Sequence, residues 1–219
     1  MPFSARYILG ILLALQLVAI VANAATTGID RFRADESFHD RPAHLLAITH
    51  LAAIGCLALA VAWRRRPHVG FWILVGAGCW YLWFDATFAL GEAIETAIEH
   101  ALQLGESGWS RRLDDFFLAA FALAGLAALF VHRQELARFH GVGRLYLAGL
   151  VLLFGMVALD IAGAQIETVI PRFGKTASTG LPFAVLEFME DAMMLTGLTL
   201  WLVATADCLH QERRVRDRE

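Results

Sequence analysis

Apolar residues occur along this chain in six long blocks, separated by shorter polar and charged stretches. A helix needs about 20 apolar residues to cross the hydrocarbon core of a bilayer, and the blocks are near that length. No block alternates polar and apolar residues as a half-buried strand does. The pattern predicts an all-α membrane protein, a bundle of six transmembrane helices. The predicted helices cover residues 7–25, 43–63, 69–100, 114–132, 144–170 and 182–207.

The first block, residues 7–25, has two interpretations. It follows Arg6 and ends in Ala22-Asn23-Ala24, which is typical of a signal-peptidase site. The block is long for a signal peptide, however, and five further apolar blocks follow, which favours a retained helix. Cleavage would leave five helices instead of six, with the orientation of the later helices unchanged.

Composition supports a membrane location. Of the 219 residues, 58% are hydrophobic and 18% are charged. A soluble domain carries about a quarter charged residues, so this chain has too little polar surface to be soluble. We therefore expect one integral membrane domain over residues 1–219, with the lipid bilayer as its first partner. No basic stripe with interleaved aromatic residues occurs, which argues against nucleic-acid binding.

Basic residues are unevenly distributed between the two sides of the predicted bundle. One side holds Arg6, the arginines of residues 64–66, the connection over residues 133–144 and the C-terminal tail, and it carries the larger share. Lysine and arginine accumulate in cytoplasmic loops. Both termini are therefore predicted to be cytoplasmic.

Two carboxylates stand seven residues apart inside an apolar block, in the stretch Asp85-Ala-Thr-Phe-Ala-Leu-Gly-Glu92. The same spacing returns in a later block, from Asp160 to Glu167. Seven residues make about two helical turns, so the acids of each pair lie on one side of their helix. An acid within a membrane span costs about 2.5–3.5 kcal/mol on insertion scales. Two matched pairs therefore indicate a functional site inside the bundle.

These acids belong to a longer internal repeat. Asp114-Asp115 follows the first pair and Glu190-Asp191 follows the second, each near the start of the next helix. Both units then close with a histidine and a Gln-Glu, in residues 132–135 and 210–212. The pattern predicts that helices three and four duplicate helices five and six. The predicted units are an N-terminal hairpin over residues 1–66, a first repeat over 69–135 and a second repeat over 144–212.

Cation binding is the chemistry that these acids favour. In the predicted orientation they share one level of the outer half of the bundle with His44 and His50. Carboxylates from facing helices, with histidines, form di-iron and di-manganese sites, and all-oxygen sites suit calcium or manganese. We predict one or two divalent metal ions, with iron, manganese, zinc and calcium left open. The predicted ligands are Asp85, Glu92, Asp115, Asp160, Glu167, Asp191, Glu190 and His50.

Three functions are compatible with this pattern, and they differ in whether the protein is an enzyme. A bound metal could activate water or oxygen towards a lipid-like substrate, as in a membrane metalloenzyme. The same acids could instead carry ions or protons in a transporter. In the third interpretation the protein is a non-catalytic membrane subunit or sensor, whose acids bind a partner protein in the membrane.

Overall fold

The computed structural model describes residues 10–12, 14–18, 21, 42–65, 69–91, 93–94, 97, 113–169 and 181–216. Within these ranges, side chains are described except at 113–119, 121–122, 163–169, 181–184, 187 and 216. Every regular element in the described part of the chain is a helix, which confirms the predicted all-helical class.

The described helices follow the predicted apolar blocks. Four of them, α1, α2, α5 and α6, are long and apolar enough to cross a membrane, which fits a multi-pass membrane protein. The count of six membrane-spanning helices stays a prediction. Residues of the first block that are described, between 10 and 21, are also helical. The helices are α1 (Pro42–Arg64), α2 (Gly70–Phe88), α3 (Leu113–Val131), α4 (Arg133–Ala137), α5 (Val142–Val169) and α6 (Leu181–Arg216).

Helix α2 ends earlier than its apolar block. A single helix was predicted over residues 69–100, but Ala89 adopts the left-handed conformation, with φ of 50° and ψ of 46°. Its N–H donates to the carbonyl of Asp85, and the N–H of Ala93 donates to the carbonyl of Ala89 as helical turns resume. The prediction of one uninterrupted helix was therefore wrong. Hydropathy could not reveal the break, because the apolar character of the block continues through it.

Helix α6 continues beyond its predicted end at residue 207. The segment from 208 to 216, predicted as a basic tail, is helical. Gln211 donates to the carboxylate of Asp207 at 3.1 Å, one turn earlier, and Glu212 forms an ion pair with Arg65 of the α1 end. These contacts support two further turns of helix, so the predicted boundary was wrong.

The helices pack in a fixed order with two distinct ends. Helix α1 packs against α2 and α6, and α5 packs against α6 and α3. Contacts of His50 with Thr199 and of Arg65 with Glu212 show that α1 and α6 run in the same direction. We call the end where α1 finishes and α2 begins the arginine end. The opposite end, where α1 begins and α2 finishes, is the acidic end.

A buried aromatic group fills the bundle near the arginine end. Phe71 and Trp72 of α2 meet Tyr146 of α5 edge to face, with ring centroids 5.7 Å and 6.4 Å apart, respectively. Phe139 packs against Trp72 with perpendicular ring planes. Edge-to-face aromatic pairs contribute about 0.5–1.5 kcal/mol beyond the area that they bury. The aromatic group therefore holds α2 against the start of α5.

Close glycine contacts bring α5 and α6 together. A Cβ placed on Gly149 would lie 2.5 Å from the indole of Trp201 and 2.8 Å from the carbonyl oxygen of Gly197. A Cβ on Gly197 would likewise lie 2.9 Å from the carbonyl oxygen of Gly149. Small residues at membrane interfaces allow such an approach of two backbones. The tryptophan that covers Gly149 stands one turn after the glycine of its own helix.

The α1–α2 pair repeats this arrangement. A Cβ on Gly55 would lie 2.9 Å from the indole of Trp80, and Gly76 faces the carbonyl of Gly55. Trp80 again stands one turn after the glycine of its helix. The shared packing therefore joins α1 with α2 and α5 with α6. The predicted repeat instead paired α2 with α3, and that duplication is not confirmed.

Ionic contacts close the arginine end. Arg65 donates from Nε and Nη2 to Oε1 of Glu135 at 3.0 Å and 2.8 Å, and its Nη1 lies 3.0 Å from Oε1 of Glu212. Glu135 is only 9% exposed, and Arg65 is closer to it than Arg138 is. The two glutamates close the predicted His…Gln-Glu segments. One arginine thus ties the end of α1 to α4 and α6.

We predict that the Gly149 contact limits stability. Gly149→Ala should lower the free energy of unfolding by about 1–3 kcal/mol, the usual cost of overpacking a filled interface. Gly125→Ala is the matched control, since a Cβ there would lie 3.6 Å from Leu150, an ordinary contact. Its stability should stay the same or rise, because alanine favours a helix. Thermal unfolding in detergent, followed by circular dichroism, measures both, and equal stability of the two variants would contradict the packing argument.

We also predict that Arg65 contributes more to stability than Arg138, although both contact Glu135. Arg65→Gln should cost about 1–3 kcal/mol, since it removes the charged donor from a nearly buried carboxylate. Arg138 is 55% exposed and lies 3.7 Å from Glu135, so Arg138→Gln should cost less than about 1 kcal/mol. Denaturant titration of the two purified variants gives the comparison. A larger loss in Arg138→Gln would show that the buried contact is not the stabilising one.

Candidate functional site

Asp85 lies in the last turn of α2, where the helix breaks. Its side chain is half-buried, and Oδ1 accepts a hydrogen bond of 2.6 Å from the N–H of Gly91. This bond satisfies a backbone donor beyond the break at Ala89. A helix C-terminus carries partial negative charge, so this end of α2 attracts positive charge.

His44 joins the start of α1 to the same break. Its Nε2 donates to the carbonyl of Ala86 at 3.1 Å, and Ala86 directly follows Asp85. The last carbonyls of a helix lack partners within the helix, so this bond satisfies one of them. The break thus combines a carboxylate and a histidine, both hydrogen-bonded to its backbone, at the acidic end.

Three further predicted acids whose side chains are described lie on α5 and α6. Asp160 is exposed on α5, and Glu190 and Asp191 are partly buried on α6. The direction of these helices places all three towards the acidic end. Within the part of the chain whose side chains are described, no three His, Cys, Asp or Glu residues are grouped closely enough to hold a metal ion.

Three predicted ligands cannot be placed by their side chains. Glu92 lies outside the described residues, and Asp115 and Glu167 lie in helical segments whose side chains are not described. The predicted convergence of six carboxylates therefore stays a prediction. The structure places Asp85 at the α2 break, a position that the spacing of the acids did not indicate.

His50 is engaged in a buried polar chain. It is 3% exposed, and its Nδ1 donates to the carbonyl of Leu46 at 2.8 Å. The other nitrogen, Nε2, therefore accepts a hydrogen bond from the hydroxyl of Thr199, 3.2 Å away on α6. The Nε2 atom of His50 could bind a metal only if its hydrogen bond with Thr199 were broken. Its described contacts favour a role in joining α1 to α6.

Gln16 extends this chain to the N-terminal block. Although it is a glutamine in an apolar block, it is only 2% exposed. Its side-chain amide donates to the carbonyl of Leu195 at 2.6 Å and to the hydroxyl of Thr199. Gln16 was not among the predicted site residues. A lone amide in an apolar block is the signal that marks it, because membrane helices use such groups to bond to one another.

A second polar group joins α5 to α6 near the arginine end. Thr205 donates to the carbonyl of Trp201 at 2.7 Å, so the hydroxyl of Tyr146 donates to Thr205 at 2.6 Å. The indole of Trp201 donates in turn to the carbonyl of Tyr146 at 3.0 Å. The hydrogen bonds link the side chains and backbones of both helices. The hydroxyl and imidazole side chains of both polar groups already have hydrogen-bond partners. We therefore take the α2 break as the candidate functional site.

Comparison with known proteins identifies a family for the chain. No curated protein and no solved structure matches the chain. One family model matches residues 5–208, which include α1 to α5 and most of α6. The helix break at Asp85 and both buried polar groups fall within this match. The chain therefore belongs to the family described as Domain of unknown function (DUF8692).

Proposed function

We propose that this protein is a multi-pass membrane protein that binds a cation at the broken end of α2, with Asp85 as the central acid. The observation that carries the proposal is the helix break beside a half-buried carboxylate. Asp85 lies within the membrane-spanning part of α2, where acids are costly and mark functional sites. Its Oδ1 is occupied by Gly91, and Oδ2 has no hydrogen-bond partner among the described residues.

Broken helices support this proposal for a physical reason. At membrane depth, irregular backbone is tolerated where it is buried in protein or lines a polar cavity. In transporters, unwound carbonyls and half-helix C-termini coordinate sodium ions or protons. The C-terminus of α2 has this character, and its negative end attracts a cation.

The favoured cation is a divalent metal, in keeping with the number of acids at this end. Asp160, Glu190 and Asp191 lie on helices that reach the same end, and Glu92, Asp115 and Glu167 are the further predicted ligands. Iron, manganese, zinc and calcium are the candidates. A metal here could also act on a lipid-like substrate in the surrounding bilayer.

Proton transfer is the second candidate function, because Asp85 is a half-buried acid within a membrane span and such acids also serve as proton carriers. In this alternative the protein is an ion- or proton-coupled transporter that uses the same acid.

We predict that Asp85→Asn abolishes cation binding. The change preserves the size of the side chain but removes its charge. Bound metal should therefore fall by at least about tenfold, since loss of a residue that only hydrogen-bonds to a metal ligand already costs that much. Metal affinity of the unmodified protein should fall as pH decreases, because protons compete for carboxylates. Asp207→Asn is the matched control, since Asp207 is an acid within a span at the opposite end. Elemental analysis of purified protein, equilibrated with each candidate metal, measures the effect.

The outcomes separate the two candidates. Metal in the unmodified protein and in Asp207→Asn, but not in Asp85→Asn, supports the metal site. Absence of metal, with proton flux into liposomes that Asp85→Asn alone abolishes, supports the proton carrier. Absence of both metal binding and proton flux in the unmodified protein would refute the proposed function.

We further predict that the arginine end is cytoplasmic. Basic residues predominate there, and such residues remain on the cytoplasmic side. Two variants each add one exposed thiol, Val215→Cys near the end of α6 and Ala93→Cys beyond the α2 break. Both are made in protein in which the exposed Cys56 is replaced by serine. A membrane-impermeant maleimide on intact cells should label only Ala93→Cys. Labelling of Val215→Cys instead would reverse the orientation.

A further inference from the structure

A groove of about 510 Å³ opens at the arginine end, between the end of α3, α4 and the start of α5. Its inner wall is apolar and includes Leu126, Phe130 and Leu147, all of which are exposed. Its rim carries Arg133 and Arg144, together with His140. The groove therefore changes from basic at the end of the bundle to apolar along the helices.

The two rim arginines differ from their neighbours in their charge partners. Arg65 and Arg138 both contact Glu135, so each has a carboxylate partner within the protein. No ion pair joins Arg133 or Arg144 to any carboxylate in the described part of the chain. The guanidinium of Arg133 stacks over the ring of Phe130, with its Cζ 4.9 Å from the centroid. The stacking places the positive charge of Arg133 at the boundary between the rim and the apolar wall.

The groove lies beside the first residues of the α5 span, where lipid headgroups are expected. Arg144 lies near the start of the span of α5, and Leu147 follows it within the same span. Phe130 and Leu126 extend the apolar wall along the last turns of α3. A molecule that fills the groove must therefore be negative at one end and apolar along the rest.

We propose that the groove binds an anionic phospholipid, with the phosphate between Arg133 and Arg144 and one acyl chain along Leu126, Phe130 and Leu147. Guanidinium groups bind phosphate oxygens through paired hydrogen bonds. Basic pockets between membrane helices on the cytoplasmic side are typical sites for anionic headgroups. A zwitterionic lipid would bring an ammonium group towards the basic rim, and inorganic phosphate would leave the apolar wall uncovered. The proposal does not depend on cation binding at the opposite end.

The test measures lipid binding to the purified, detergent-solubilised protein by native mass spectrometry. The unmodified protein should bind phosphatidylglycerol more tightly than phosphatidylcholine. The double variant Arg133→Gln with Arg144→Gln should weaken phosphatidylglycerol binding by about thirtyfold, from the contribution of two basic residues near anionic lipid. Arg64→Gln is the matched control, because Arg64 is exposed at the same end but does not line the groove. Its loss should be smaller than that of either single groove variant.

A second variant tests the acyl-chain part of the groove. Gly143 lines the groove, and a Cβ there would lie 3.8 Å from Leu136, which leaves room for substitution. Gly143→Leu should fill the space and weaken phosphatidylglycerol binding, whereas Ala148→Leu, exposed on α5 away from the groove, should not. Thermal unfolding of every variant confirms that each one is folded.

The competing outcomes are distinct. Equal losses in Arg64→Gln and in the groove variants would show a general surface charge effect and overturn the site. Displacement of phosphatidylglycerol by millimolar inorganic phosphate alone would identify a phosphate site instead of a lipid site. Unchanged lipid binding in Gly143→Leu would show that the acyl chain does not lie in the groove.

Discussion

Polar side chains buried between membrane helices are stabilised by partners in the protein, because the hydrocarbon core offers no water. The packing of this chain follows from that constraint. His50, Thr199 and Gln16 satisfy one another between α1, α6 and the N-terminal block. Tyr146 and Thr205 do so between α5 and α6. Each group fixes the rotation of its helices, since turning one helix would leave a donor or an acceptor without a partner.

Close backbone contact is the second determinant, and it acts with the polar groups. Gly149 and Gly197 allow α5 and α6 to approach until Trp201 covers the contact. The indole that covers Gly149 is also the donor to the carbonyl of Tyr146. One tryptophan therefore links the packing of the two helices to their hydrogen bonds. The Trp72 indole, by contrast, is buried without a hydrogen-bond partner among the described residues and contributes through its aromatic contacts alone.

The two ends of the bundle have different chemistry. At the arginine end, Arg65 forms ion pairs with Glu135 and Glu212, and Arg133 and Arg144 form the basic rim of the proposed lipid groove. At the acidic end, Asp85 lies in the last turn of α2, just before the helix break at Ala89. The proposed lipid groove and the proposed cation site therefore lie at opposite ends of the bundle.

The sequence by itself determined the helical class and most helix positions, because hydropathy is a local property that each block carries independently. Helices α1 and α5 begin and end within two residues of their predicted bounds. Asp85 was one of the predicted ligands, but its spacing from Glu92 did not reveal the helix break beside it. Tertiary structure decided which helices pair, why Gln16 is buried, and that Glu135 and Glu212 share Arg65. These features depend on residues from distant parts of the chain, and a matched spacing within one helix cannot specify the partner that lies across an interface.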